Sequence, residues 1–213
     1  MRIRPDRYEQ EAGRNRRAGA RNRARLLPVL ILPLALAFAA RADEPSVAVG
    51  SVGPGCHVAG SFRVAVSSTV AWQVLTDYDH IHEFVSSMKE SHVERRDADS
   101  LLVRQDAISS FFIFHHRVQV LLDVRETPES RITFRDVLGK DFRDYQGEWR
   151  ITSDSTGTRV NYELQAEPHM AMPKSVCRGM LRDVARDLLS QVRVEMLRRA
   201  SHDESREEER SER

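Results

Sequence analysis

The sequence predicts an α+β fold in which a curved, seven-stranded antiparallel sheet wraps around one long C-terminal helix. Three observations carry that expectation. Between residues 57 and 167, apolar and polar residues alternate in runs separated by turn residues, the two-residue period of half-buried strands. From Lys174 to Ala200 the period changes to that of a helix, with Val176, Met180, Leu181, Val184, Leu188, Val192 and Met196 on one stripe and arginines and aspartates opposite. No other segment is large enough to cover the apolar face of the sheet.

The N-terminus reads as an export signal. Nine arginines fall within residues 1–25, and an uncharged run of 15 residues follows from Leu26 to Ala40, interrupted by Pro28 and Pro33. A helix crossing a bilayer needs about 20 apolar residues, so this run is too short for an anchor. The small residues at Ala40 and Ala42 mark a cleavage site after Ala42. Residues 1–42 are therefore expected to be a signal peptide, with a periplasmic or secreted mature protein.

Removal of that leader reverses the charge. It takes ten of the 33 basic and three of the 32 acidic residues, leaving 23 against 29 and a net charge of −6 rather than +1. Nucleic-acid binding needs a basic surface to neutralise phosphates, so that class is excluded for the mature chain. Two cysteines, Cys56 and Cys177, remain in a compartment where a disulfide persists. They are read either as one disulfide or as two separate buried thiols.

Residues 43–56 are expected to be a linker. Its Gly50–Gly55 segment lacks the preceding strand and the Lys-Ser/Thr ending of a phosphate loop. The first strand is expected over His57–Val66. Ser67, Ser68 and Thr69 offer an N-cap for a short helix over Val70–Leu75, and a second short helix is expected over His80–Met88. Strands follow over His92–Arg96, Leu101–Ile108, Phe112–Glu126, Arg131–Leu138, Phe142–Thr152 and Thr158–Glu167, with a bulge at Gln146-Gly147. The helix from Lys174 to Ala200 would make about seven turns. Residues 201–213 have no apolar side chain and are expected to be a disordered charged tail.

At this level the chain resembles the START-like, helix-grip superfamily, and within it the polyketide cyclase/dehydrase and coenzyme Q-binding branch. The match is carried by Ala71-Trp72-Gln73-Val74-Leu75-Thr76-Asp77-Tyr78, Phe84-Val85, Asp141-Phe142-Arg143-Asp144-Tyr145-Gln146-Gly147-Glu148-Trp149 and Arg159-Val160-Asn161-Tyr162, over residues 57–200. The resemblance implies a cavity between sheet and helix that takes lipids, quinones, polyketides or hormones. It covers non-enzymatic binders and carriers as well as aromatase/cyclases. In such an arrangement the last strand pairs with the first, which would bring Cys56 and Cys177 within reach of each other.

Strand parity nominates the lining. Phe112, Phe114, His116 and Val118 share one face with Val120, Leu122 and Val124, and Phe134 and Asp136 share a face of the next strand. Trp149 and Tyr162 come from the last two strands, and Met180 and Val184 from the helix. His116, Asp136 and Tyr162 are the polar members. They would orient a ligand headgroup, act as acid–base groups, or satisfy one another as buried polar residues. No spacing specifies a reaction, and none is diagnostic of a metal or cofactor site. The first reading is thus a carrier of a hydrophobic small molecule or lipid. A cyclase or dehydratase-like enzyme and a filled-core interaction domain are the alternatives. The methionines of the His169–Pro173 loop fit either a gate making transient membrane contact or ordinary packing.

Overall fold

The alternation of apolar residues decides which face of each strand is buried, and the register of the strands gathers those faces into one surface. The computed structural model describes residues 44–111, 114–170 and 173–211, so the expected leader lies outside the described residues. The elements are β1 (Ser46–Val52), β2 (Gly55–Val64), α1 (Ser68–Leu75), α2 (Ile81–Phe84), β3 (Met88–Arg96), β4 (Leu101–Phe111), β5 (Phe114–Thr127), β6 (Arg131–Asp136), β7 (Phe142–Asp154), β8 (Gly157–Pro168) and α3 (Lys174–Ser211). The strands form one antiparallel sheet in the order β1-β2-β8-β7-β6-β5-β4-β3. The fold is the expected α+β helix grip, with eight strands rather than seven.

The added strand is β1, which replaces the expected linker over residues 43–56. Val47 and Val49 alternate with Ser46, Ala48 and Gly50 and turn inward against the core. The strand pairs along its whole length with β2, from Ser46 opposite Ser61 to Val52 opposite Gly55. Small residues between the two valines mask a two-residue period that the backbone nevertheless follows.

Three further expectations are corrected. The helix does not stop at Ala200 but continues to Ser211, so residues 201–211 are helical rather than a disordered tail. Neither glycine nor proline interrupts that stretch, and Ser205 Oγ donates to the Ser201 carbonyl one turn back at 2.9 Å. The second short helix shrinks to the single turn of α2, because Val85 is already extended and Met88 opens β3. The bulge in β7 falls between Phe142 and Asp144 rather than at Gln146-Gly147. For α1, by contrast, Ser67 is the N-cap, its hydroxyl accepting from Val70 N–H at 3.2 Å.

What positions the site is the seat of α3. The helix packs against β2, β1 and α1. Leu189, fully buried, lies over Gly60 of β2, and a Cβ at Gly60 would collide with it. Val192 and Met196 continue the buried stripe. At the far end Arg199 donates to Glu195 and to Asp77 in the α1–α2 connection, both at 2.7 Å. At the near end Cys177, in the first turn of α3, is bonded to Cys56 of β2, with the two Cα atoms 6.6 Å apart. The helix is therefore fixed at three heights, twice to β2 and once to the α1–α2 connection.

The bond closes a separation of 121 residues. Replacing both cysteines by alanine is expected to lower the unfolding free energy by about 2–4 kcal/mol, read from urea unfolding without reductant. An unchanged urea midpoint would show that the bond contributes nothing to the folded protein.

Candidate functional site

With α3 held over β1 and β2, the sheet curves away from the other flank of the helix and leaves a gap. That gap is a cavity of about 150 Å³ between the N-terminal half of α3 and strands β4, β5, β7 and β8. Met180, Leu181, Val184, Ala185 and Leu188 form the helix wall. Tyr162, Leu164 and Ala166 come from β8, Phe142 and Tyr145 from β7, and Val118 and Ala107 from the β4–β5 pair. Val85, Ser87 and Met88, which follow α2, complete the described lining. The lining is almost wholly apolar.

Among the described residues its polar side chains are two phenols and the Ser87 hydroxyl. Tyr145 and Tyr162 both line the cavity, and their hydroxyls interact with each other. Burial pushes Tyr145 up to about 12, helped by the negative charge of Asp136, and its bond to Tyr162 only partly offsets this. Burial raises Tyr162 well above the ordinary phenol range, and its bond to Tyr145 adds to the effect. Both phenols are therefore neutral at any physiological pH.

An aromatic cluster backs them. Tyr162 lies 4.4 Å from Trp149 and is stacked on Phe134 at 6.4 Å, while Tyr145 lies 4.7 Å from Phe142 and 6.1 Å from Phe134, ring centroid to ring centroid. Gly147 makes this possible. It sits opposite Phe134 in the β6–β7 register, and a side chain there would meet the Phe134 ring and the Glu163 carbonyl.

The nominated residues divide accordingly. Val118, Tyr162, Met180 and Val184 line the cavity. Phe134 and Trp149 are partly buried and support Tyr162 from behind rather than lining it. Asp136 is not a pocket residue. It ends β6, and its carboxylate accepts from Leu121 N–H at 3.0 Å, Leu138 N–H at 2.9 Å and Gly139 N–H at 3.1 Å, which makes it the clasp of the β6–β7 turn. Phe112 lies outside the described residues. Phe114 and His116 fall on β5, His116 opposite Ser109, with side chains outside those described.

Tyr145, Phe142 and the helix residues Leu181 and Ala185 are not among the sequence candidates. Tyr145 shares the parity of Gly147 and Trp149, so the sequence does carry its signal. Val85, Ser87 and Met88 come from a turn and its flanks, where no period exists to read.

A second depression, of about 540 Å³, lies over the outer face of β5–β8 and is larger. Its walls are largely polar and charged, and several of their groups are already paired. Glu148 accepts from Arg131 and Arg150, and Arg135 donates to Gln146. It is a solvated sheet face. Among the described residues no group of His, Cys, Asp and Glu is disposed to hold a metal, and no helix is long and apolar enough to cross a membrane.

Residues 64–193, which include most of this sheet and the helix wall of the cavity, match the sequence model of one family, described as polyketide cyclase/dehydrase and lipid transport. The chain belongs to that family. Solved structures share the fold. The protein TTHA0849 of Thermus thermophilus superposes with a TM-score of 0.61 at 17% identity, covering 68% of this chain and 99% of the other. The Zhui aromatase/cyclase of Streptomyces sp. R1128 gives 0.57 at 18%, covering 67% and 94%. A STAR-related lipid transfer protein from Xanthomonas axonopodis gives 0.55 at 17%, covering 72% and 99%. No curated protein is significantly similar in sequence. At such identities the likeness establishes the fold, and function rests on the cavity.

The buried phenols predict the alkaline behaviour. Tyr78 is raised as well, by burial and by its 2.7 Å bond to Glu126, so three of the four tyrosines ionise late. A phenol with a raised folded pKa adds stability that is complete below its unfolded value near 10 and is lost as the pH climbs through the folded value. Absorbance titration at about 295 nm, where phenolate absorbs, should show three phenols still protonated about one unit above the ordinary phenol pKa, with unfolding beyond that. Ordinary titration of these three near pH 10 would contradict the buried placement.

Proposed function

We propose that this chain is an exported, non-enzymatic binder or carrier of a hydrophobic small molecule, held between α3 and the sheet. The observation that carries the reading is the cavity itself, whose described lining is apolar apart from two neutral phenols and the Ser87 hydroxyl. The family description, which includes lipid transport, supports the same class of ligand. Export is supported by the arginine-rich leader with its short apolar run, and by the Cys56–Cys177 bond, which suits an oxidising compartment. The net charge of −6 left after the leader argues against a nucleic-acid partner.

A cyclase or dehydratase activity has less support. Among the described residues lining the cavity, Tyr145 and Tyr162 are the only titratable groups, and their raised pKa values leave neither suited to take a proton near neutrality. Transient contact with a membrane fits the exposed Leu138 and Met170. Their loops adjoin, since His169 N–H donates to the Asp141 carbonyl at 3.0 Å.

Native mass spectrometry of the protein purified from its exported compartment is expected to find one apolar small molecule per chain. Ala185→Leu, which fills the cavity from the helix wall, should remove it while leaving the circular dichroism spectrum intact. A wild-type protein that is reproducibly empty and takes up no apolar probe would refute the carrier reading.

A further inference from the structure

The sheet ends at β3 on one side and at β1 on the other, and the sequence treats these two edges differently. A free edge presents unpaired backbone N–H and C=O groups to any extended chain, and proteins blunt such edges with charges, bulges or covering groups. On β3 all three are present. Lys89, Glu90, Glu94, Arg95 and Arg96 fall within it, its register with β4 shifts twice, and Asp79 accepts from Val93 N–H at 2.8 Å. On β1 none is. Its seven residues, Ser46–Val52, include no charge and no proline, and they pair with β2 in unbroken register. Among the described residues no side chain bonds to the β1 backbone, and the Ser46 hydroxyl turns to Ser61 on the β2 side. The outer face is open too, since Ala48 and Gly50 are exposed and a Cβ at Gly50 would meet nothing within 4 Å.

The occupant that fits this edge is a second copy of the chain. With cleavage after Ala42, residues 43–45 are too few to fold back along a seven-residue strand. Pairing about a two-fold axis sets a strand against itself, and β1 has no charge to oppose its own. The surroundings of its two ends are complementary. Cys56 lies opposite Ser51 and is bonded to Cys177, so the start of α3 stands at the C-terminal end of β1. That start carries Lys174, Arg178 and Arg182, all exposed, while exposed Glu44 stands at the N-terminal end of β1. Antiparallel pairing brings the Glu44 of each copy to the basic end of the other.

We propose that β1 pairs antiparallel with β1 of a second copy, so that the eight-stranded sheet continues into its partner. This goes beyond the binding reading and is independent of it, because the cavity lies along the other flank of α3. It rests on the export reading only through removal of the leader. A seven-residue antiparallel pair supplies about seven inter-strand hydrogen bonds, as many as a modest specific interface. The area is small, so the dimer should dissociate on dilution.

Sedimentation velocity of the protein purified from its exported compartment, from about 1 to about 300 μM, tests this. A reversible shift from monomer to dimer is expected, with amide hydrogen exchange in residues 46–52 slowing as the dimer forms. Ala48→Lys, which puts a charge on the open edge of each copy, should abolish the shift and leave the circular dichroism spectrum unchanged. His92→Lys, on the β3 edge, should leave the dimer in place. A monomer at every concentration, bare or with a different protein bound, would overturn the proposal whichever N-terminus its intact mass shows. A dimer unaffected by Ala48→Lys, or one whose residues 46–52 exchange as fast as in the monomer, places the contact elsewhere and overturns it as well. An intact mass that retains the leader in a β1-paired dimer would overturn the export reading alone.

Discussion

The contact of Leu189 with Gly60 sets the rest of the structure. A leucine on the buried stripe of α3 meets a strand position with no side chain, so the helix comes close to β2. Closeness on that flank has a geometric consequence on the other. The sheet continues through β8, β7, β6 and β5 to β4 and curves as it goes, and a straight helix cannot follow it. The space left over is the cavity. The disulfide at Cys177 and the Arg199 bond to Asp77 keep the helix from sliding into that space. The extra strand β1 serves the same end, since Val47 and Val49 extend the surface on which α3 rests.

The chemistry of the cavity follows from what surrounds the two phenols. Burial among Trp149, Phe134 and Phe142 removes the water that would stabilise a phenolate, and a carboxylate near Tyr145 disfavours it further. The site is consequently a neutral hydrogen-bonding surface in an apolar pocket. Under the proposed binding role that arrangement would orient a ligand, whereas proton abstraction near neutrality would need a group with a pKa several units lower. Family membership spans carriers and cyclases alike, so the difference between those roles lies in side chains such as these and not in the fold.

Much of this is legible in the residues. Strand parity places Val118 and Tyr162 on the inner face, and helical spacing places Met180 and Val184 there, because burial of an apolar face enforces those periods. Asp136 misleads because parity alone sees a polar residue on an apolar face, and is blind to a carboxylate that turns back to clasp three backbone N–H groups. The strand β1 is hidden because Ser, Ala and Gly separate its valines, so its contrast in hydropathy is weak. The helical course of residues 201–211 escapes for the opposite reason. An all-polar segment has no periodic signal, and only the absence of helix breakers marks it. Tyr145 is recoverable from the parity of Gly147 and Trp149. Val85, Ser87 and Met88 are not, since they approach the cavity from a turn and its flanks.

The central claim is that a dry, ring-sized cavity exists along the free flank of α3. Diffraction from crystals held under xenon pressure measures it directly, because xenon enters apolar cavities of this size and is located by its scattering. The account predicts one strong xenon position enclosed by Tyr162, Leu164, Met180 and Val184. Xenon absent from that space, with the aromatic rings and α3 closed upon one another, would contradict it and leave a filled core in place of a binding site.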